Sequence, residues 1–330
     1  MYESPLVTVI MPVYNTEPFV SEAIDSILGQ TLKSLELICV NDGSTDQSGV
    51  ICDKYATIDK RVVVIEQSNS GQGCARNRAL KLAHGKFIYF MDSDDILLPT
   101  ALEEVCLKMI ENKLDLLFFE AHTFGEIKAV GKYRRDFLYD DAYSGAELAS
   151  LLLKNNEFIV SPCLYVASAD LYQTNGIRFL EDHVKHEDDI FTILALLYSK
   201  RATCLHQDLY ARRYRPGSTM TSFDPVSSVK GAFRTYSELI RRREMSCSTS
   251  VLRSSVVDEF LDRCKQETIR YFSHCNIPLS EFTSIVECKD DMESRVADDI
   301  TDSVSAMRIK FYFVRYLRLI KRKLFGRLQH

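Results

Sequence analysis

The 330-residue sequence predicts an α/β fold in which helices flank a mostly parallel β-sheet. Two observations lead to this prediction. Apolar runs of strand length alternate with segments of helical character between residues 6 and 120. Short polar turns separate these segments, and such βα alternation is typical of a parallel sheet with helices on both faces.

The first part of the chain predicts five strands and four helices. The expected strands are Leu6–Met11, Leu35–Val40, Val62–Glu66, Lys86–Met91 and Asp115–Glu120. The expected helices are Pro18–Leu28, Asp46–Ala56, Gly73–Ala83 and Pro99–Glu111. Proline suits the first turn of a helix, which favours the beginning at Pro18.

After about Phe124 the pattern is less regular. Helical segments are expected at Ser144–Leu153 and Asp188–Leu197, and strands at Leu164–Val166 and within Ala202–Tyr214. From Asp224 onward the chain looks helical, with polar breaks at 246–250 and 276–280. We therefore expect one domain over residues 1–222 and a helical C-terminal extension over 223–330.

Composition excludes several classes of protein. With 46% hydrophobic residues the chain can bury a large core. The ten cysteines are scattered and form no C-x-x-C pair, which favours reduced thiols over a zinc site or a disulfide framework. No apolar run approaches the ~20 residues that span a bilayer. The N-terminus leads directly into a strand, so we expect no secretory signal and a cytoplasmic location.

An acidic run follows the fourth predicted strand. The apolar residues Phe87–Met91 end at Asp92, Asp94 and Asp95. Burying unpaired carboxylates is costly, so a cation is expected there, and carboxylate oxygens favour Mg²⁺ or Mn²⁺ that in turn binds phosphate. In isolation the same run could be a solvated turn or a helix cap.

Other polar segments follow neighbouring strands. Tyr14 comes after the first strand and Asp42 after the second, and the loop at 69–77 carries glycines and then Arg76. Ligands of open parallel sheets bind beyond the carboxyl ends of the strands, where these segments are expected. The loop is not the G-x-G-x-x-G of dinucleotide-binding folds.

Together these segments resemble the inverting family 2 glycosyltransferases of the GT-A fold. The resemblance extends from Leu6 to about Ser222. It rests on the following segments in order: V-I-M-P-V-Y-N at 9–15, E-L-I-C-V-N-D-G-S-T-D at 36–46, N-S-G-Q-G-C-A-R-N at 69–77, F-M-D-S-D-D at 90–95, H-E-D-D-I-F at 186–191 and Y-R-P-G-S-T at 214–219.

The resemblance implies a nucleotide site. Tyr14 matches the aromatic residue that stacks on the base, and Pro12 lines the same pocket. Asp42 matches the carboxylate that hydrogen-bonds the base, typically uracil. Arg76 is placed to contact the pyrophosphate or the sugar. The half of the domain at about 1–124 would then bind the nucleotide, and the half at about 125–222 would face the acceptor.

The resemblance also implies the reaction. Asp94 matches the direct metal ligand, and Asp92 lies towards the ribose or a metal-bound water. Asp188, within the pair Glu187-Asp188, matches the general base. One displacement on a nucleotide diphosphate sugar, typically UDP-linked, would invert the anomeric centre and give a β-linkage. The expected acceptor is a sugar hydroxyl of a lipid-linked or growing bacterial surface polysaccharide, such as O-antigen, capsule or exopolysaccharide.

The C-terminal segment has its own pattern. Residues 303–330 contain eight basic and no acidic residues, and apolar residues recur every three or four positions from 304 to 328. This pattern predicts a basic amphipathic helix that lies on an anionic membrane surface, at the inner face of the cell membrane. A helix that packs on the acidic remainder of the protein is the alternative.

Three other interpretations stay open at this point. A D-x-D phosphohydrolase would use the acidic run as a nucleophile, and a non-catalytic scaffold would bind a nucleotide sugar at the membrane without turnover. His183 and His186 with neighbouring acids are a further, separate metal-site candidate. No feature of the sequence indicates a nucleic-acid partner.

Overall fold

The computed structural model describes residues 4–127, 133–139, 141–216, 218, 224–245, 251–275 and 278–305. The chain forms two compact units. The first comprises Met1–Phe223 with Ser246–Asp258, and the second comprises Asp224–Met245 with Glu259–His330.

The first unit is a mixed α/β structure, which confirms the predicted fold class. Its described residues form an eight-stranded sheet in the order β3-β2-β1-β4-β7-β6-β8-β5. The strands are β1 (Val7–Val13), β2 (Leu35–Asp42), β3 (Val62–Gln67), β4 (Phe87–Phe90), β5 (Ile96–Leu97), β6 (Leu116–Gly125), β7 (Tyr165–Ser168) and β8 (Ala202–Tyr214). Strands β1 to β4 pair in parallel, as does β6 with β8, whereas β7 and β5 pair antiparallel with their neighbours.

Seven helices belong to the described part of this unit. They are α1 (Val20–Leu28), α2 (Ser48–Ile58), α3 (Gln72–Leu80), α4 (Ala101–Glu111), α5 (Gly145–Lys154), α6 (Ala169–Thr174) and α7 (Asp189–Tyr198). Their bounds lie within a few residues of the predicted ones, except for α6, which the sequence did not predict. The segment at 202–214, expected as more than one strand, is a single strand.

The core surrounds the parallel strands. All seven residues of β1 are buried, because helices cover both faces of a parallel sheet and leave no exposed face. Helix α1 contributes Val20, Ala23, Ile24 and Ile27 from one side. The carboxyl ends of β1, β2 and β4 lie along one edge, because these strands are parallel neighbours in the sheet.

The second unit is helical, as predicted for the C-terminal region. It contains α8 (Pro225–Met245), most of α9 (Ser255–His274) and α10 (Phe282–Val286), and residues 291–305 are also helical. The ring of Phe282 packs edge-on against Phe233 and Phe272. Arg234 and Glu293 form a buried ion pair in this unit.

The predicted amphipathic helix at 304–328 falls almost wholly outside the described residues. Within the part of the chain that the structure describes, no helix has the length and apolar character needed to cross a bilayer.

Candidate active site

Three strand ends bring the predicted nucleotide residues to the same edge of the sheet. Pro12 is buried near the end of β1, and Tyr14 follows it with 46% of its surface exposed. Asp42 is the last residue of β2, and Asp92 follows β4. Because β1 lies between β2 and β4, an exposed aromatic ring and two acidic segments flank one stretch of this edge.

Asp42 organises the glycine loop that precedes α3. Its Oδ1 atom accepts hydrogen bonds from Gln67 Nε2 at 2.7 Å and from the backbone N–H of Ser70 at 2.8 Å. Its Oδ2 atom accepts from the N–H of Gly71 at 2.9 Å. Asp42 is only 3% exposed, so these three donors offset the cost of burying its carboxylate. The sequence analysis did not predict that Asp42 shapes this loop.

The glycines of the loop allow close contact with a distant segment. Gly71 has φ of 88°, a conformation that favours glycine. A Cβ atom at Gly73 would lie 1.9 Å from the carbonyl oxygen of Leu180. Asn77, one turn along α3, donates to the carbonyl of Phe179 at 3.0 Å and accepts from its N–H at 2.9 Å. Helix α3 is thereby fixed against the segment that leads to Glu187.

Arg76 joins the two predicted acidic groups. Its guanidinium donates through Nη2 to Asp92 Oδ1 and through Nη1 to Glu187 Oε1, both at 2.8 Å. Arg76 is 3% exposed and lies over the ring of Phe179 at 5.2 Å. The predicted metal-side and base-side acids, which are far apart in sequence, therefore share one buried cation.

Burial changes the proton affinity of this cluster. Burial and the nearby charge of Asp188 raise the pKa of Glu187 to about 7, although Arg76 lowers it. Burial also raises the pKa of Asp188, again against the effect of Arg76. Burial by itself lowers the pKa of Arg76, because it favours the neutral form. The charges of Asp92 and Glu187 outweigh this effect and raise the pKa of Arg76 above its ordinary value. The cluster thus contains acids with an increased affinity for a proton beside a permanent positive charge.

Asp188 precedes the first residue of α7. Its backbone carbonyl accepts from the N–H of Thr192 at 2.9 Å, but its side chain does not cap the helix. The acidic turn is therefore not explained by side-chain capping alone.

Asp94 forms an ion pair with an arginine that directly follows β8. Arg215 Nε donates to Asp94 Oδ2 at 2.8 Å, and Arg213 Nε donates to the backbone carbonyl of Asp94 at 2.7 Å. Burial and the charge of Asp92 raise the pKa of Asp94, whereas Arg215 lowers it. The sequence analysis assigned no role to either arginine.

Asp92 and Asp94 fit a divalent cation. Their carboxylate oxygens are the hard ligands that Mg²⁺ and Mn²⁺ prefer. In this structure each carboxylate forms an ion pair with one guanidinium, Asp92 with Arg76 and Asp94 with Arg215. Among the described residues, no group of three or more His, Cys, Asp or Glu side chains could hold a metal ion. This finding argues against a site at His183 and His186. A Mg²⁺ that binds one or two carboxylates and substrate phosphates needs no such group.

Comparison with known families identifies the chain. The profile of glycosyl transferase family 2 matches residues 8–173, about half of the chain. The chain belongs to this family. The predicted family 2 resemblance is confirmed, and membership removes the support for a D-x-D phosphohydrolase.

Several curated relatives of this chain come from bacteria. Glycosyltransferase GlyA of Streptococcus pneumoniae is 33% identical over 64% of this chain and 31% of its own length. EpsJ of Bacillus subtilis, an uncharacterized glycosyltransferase, is 33% identical over 65% of this chain and 62% of its own. The poly(ribitol-phosphate) beta-glucosyltransferase of Bacillus spizizenii is 31% identical over 72% of this chain and 37% of its own. The chain therefore spans less than two thirds of these relatives.

Solved structures share the GT-A fold of this family 2 chain. TarS 1-349 of S. aureus, crystallised with UDP-GlcNAc, has a TM-score of 0.63 at 22% identity, covering 90% of this chain and 83% of that one. The mannosyltransferase PcManGT of Pyrobaculum calidifontis, solved with GDP-Man and Mn²⁺, has a TM-score of 0.57 at 14% identity, covering 94% and 87%. At these identities the likeness concerns the fold.

Proposed function

We propose that this protein is an inverting, metal-dependent glycosyltransferase. It transfers a hexose or N-acetylhexosamine from a nucleotide diphosphate sugar, most simply a UDP-sugar, to a sugar hydroxyl of a lipid-linked or growing bacterial surface polysaccharide. The product carries a β-linkage.

The observation that carries this proposal is the double ion pair of Arg76 with Asp92 and Glu187. The proposed transfer would use one acidic group to hold a metal ion that binds the diphosphate, and a second acidic group to remove the proton of the incoming hydroxyl. The two groups must lie on either side of the reacting carbon. A single guanidinium that spans both groups holds them at a fixed separation.

Each residue of the site has a part in this mechanism. Tyr14 stacks on the base, while Pro12 and Asp42 complete the nucleotide pocket. Asp94, with Asp92, would hold Mg²⁺ or Mn²⁺. When bound, the divalent ion offsets the charge that develops on the leaving diphosphate.

The base side of the site takes up the acceptor proton. Asp188 removes the proton from the attacking hydroxyl, and its raised pKa makes its carboxylate a stronger base than an exposed aspartate. Glu187, held by Arg76, fixes the turn that carries Asp188 and contributes a second acidic group with a pKa of about 7. Attack from the side opposite to the diphosphate inverts the anomeric carbon.

Two relatives support the choice of substrates. TarS 1-349 was crystallised with UDP-GlcNAc, which favours a UDP-sugar as the donor here. The name of the Bacillus spizizenii relative describes β-glucosyl transfer to poly(ribitol-phosphate), a phosphate polymer. The name of the Bacillus spizizenii relative thus favours a polymer as acceptor and a β-linkage as product.

We place the protein in the cytoplasm at the inner face of the cell membrane. This part of the proposal rests on the basic, apolar pattern at 304–328, which would bind anionic lipid at ~1 kcal/mol per basic residue near the surface. A lipid-linked acceptor is presented at the same surface, so membrane residence brings enzyme and acceptor together. No nucleic-acid partner is proposed.

A donor screen tests the proposal. Purified protein is incubated with UDP- and GDP-sugars in Mn²⁺ or in a chelator, and release of the nucleoside diphosphate is measured. We expect Mn²⁺-dependent release of UDP from at least one UDP-sugar. NMR should show that the anomeric carbon of the sugar in the product has the inverted configuration. UDP binding without turnover across donors and acceptors would favour the non-catalytic scaffold instead. Release of phosphate from simple phosphomonoesters would contradict the reaction class.

A further inference from the structure

The acidic run contains a third carboxylate that the proposed mechanism does not use. Asp95 is 2% exposed, and two donors from β8 hold its carboxylate. The hydroxyl of Tyr210 donates to Oδ2 at 2.5 Å, and the backbone N–H of Arg213 donates to Oδ1 at 2.6 Å. A carboxylate buried this deeply is stabilised by both bonds, and loss of either leaves a buried polar group without its partner.

The pairing of β5 with β8 explains why these groups meet. Ile96, which directly follows Asp95, aligns with Ala211, and Leu97 aligns with Tyr210. The acidic run is therefore continuous with a strand that is fixed in register against β8. Two strand residues are too few to hold this register alone, so the side-chain bonds of Asp95 extend the pairing into the acidic turn.

Arg213 carries this connection to Asp94. Its backbone is held by Asp95, while its Nε atom donates to the carbonyl oxygen of Asp94 at 2.7 Å. Its guanidinium lies 4.9 Å from the ring centre of Phe19 and 4.4 Å from that of Phe124, and it also pairs with Glu22. These contacts leave the side chain little freedom, so the position of its backbone determines where its Nε atom meets Asp94.

We infer that Asp95 and Tyr210 are positioning residues that fix the backbone of Asp94 and so the place from which its carboxylate extends. They act through Arg213. Tyr210 holds the carboxylate of Asp95, Asp95 fixes the backbone of Arg213, and the side chain of Arg213 holds the carbonyl of Asp94. This inference rests on the proposed function, in which Asp94 is the metal ligand. Residues that orient a metal ligand typically contribute about 10–100-fold to metal affinity.

Four variants of the full chain test this inference. Asp95→Ala removes both acceptors, and Tyr210→Phe removes one donor. Asp95→Asn keeps an oxygen for the N–H of Arg213 and can donate its amide hydrogen to the Tyr210 hydroxyl. The matched control is Tyr89→Phe, since Tyr89 is also fully buried and its hydroxyl donates to the carbonyl of Cys163 at 3.1 Å.

The readout is Mn²⁺ binding in the presence of UDP, measured by electron paramagnetic resonance at a temperature where circular dichroism shows each variant folded. Asp95→Ala should raise the Mn²⁺ dissociation constant about 10–100-fold. Tyr210→Phe should raise it less, and Asp95→Asn and Tyr89→Phe should stay close to wild type. The KM for the donor should follow the same order, because the metal links Asp94 to the diphosphate.

The outcomes separate this inference from the proposed function. Wild type that binds neither Mn²⁺ nor UDP overturns both. Wild-type binding with an unchanged dissociation constant in Asp95→Ala overturns the positioning role alone. If Asp95→Ala does not fold, unchanged Mn²⁺ binding by Tyr210→Phe overturns it. An equal loss in Tyr89→Phe overturns it as well, because the effect would then follow from any lost buried hydroxyl.

Discussion

Replacement of Arg76 by glutamine should destabilise the protein strongly, and more at pH 8 than at pH 5. The change removes two charge-assisted hydrogen bonds of 2.8 Å from an arginine that is 3% exposed. Asp92 and Glu187 would then lose their shared counter-charge while 23% and 15% of their side-chain surfaces are exposed. Partial access to water relieves some of the cost, so we expect a loss of about 3 kcal/mol at pH 8, at the lower end for a broken buried pair.

The pH dependence follows from Glu187. Its pKa is about 7 in the folded protein against an ordinary value of 4.5, so between these values the folded state binds more protons than the unfolded state. Stability therefore falls as the pH rises through this range. Because Arg76 lowers the pKa of Glu187, the variant has a still higher folded pKa and loses about 1.4 kcal/mol more for each further pKa unit. At pH 5 Glu187 is largely protonated in both folded proteins, and the difference shrinks.

Urea unfolding followed by circular dichroism at pH 5 and pH 8 measures both free energies. Arg78→Gln is the matched control, because Arg78 lies on the same helix but is exposed. Its loss should be below about 0.5 kcal/mol at either pH. An equal loss in Arg76→Gln at the two pH values, or a greater loss at pH 5, would refute the argument from Glu187.

Four further changes test other parts of the site and the tail. Asp188→Asn should abolish transfer with nearly unchanged UDP affinity by calorimetry, while Asp189→Asn keeps activity; turnover at the wild-type rate would exclude Asp188 as the base. Asp94→Ala should lose Mn²⁺-dependent UDP binding, which persistent binding would contradict. Gly73→Ala should lower both thermal stability and activity, because its Cβ would meet the Leu180 carbonyl; an unchanged melting temperature counts against that contact. Deletion of 304–330 should release the protein from anionic vesicles in a flotation assay, and retention would disprove the membrane role of the tail.

The sequence predicted the parallel part of the sheet well, because its strands are continuous apolar runs and short polar turns separate them from the intervening helical segments. It did not predict β5, since two residues such as Ile96 and Leu97 carry no measurable period. The bonds of Asp95 were equally hidden. Its partner Tyr210 lies 115 residues away, and the sequence offers no local signal for a pairing over that distance.

For the site, the sequence predicted the residue types at the edge of the sheet but not their pairings. Arg76 was expected to contact a pyrophosphate or sugar, whereas its present partners are Asp92 and Glu187. Asp94 was expected as a metal ligand, and the structure pairs it with Arg215. Such pairings depend on how loops from separate elements meet, which no spacing within one motif determines.

The burial of α3 shows how the arrangement is built. Gly73, Arg76 and Asn77 are spaced i, i+3 and i+4, so they lie on one face of the helix, and all three are buried. A helix on the surface of a domain usually buries an apolar stripe. A buried face of glycine, arginine and asparagine instead requires a polar partner. That partner is the segment from Phe179 to Glu187, which reaches the helix through the Asn77 bonds, the Gly73 contact and the Arg76 ion pair. Helix α3 is therefore the element that brings the base-side acids to the edge of the sheet.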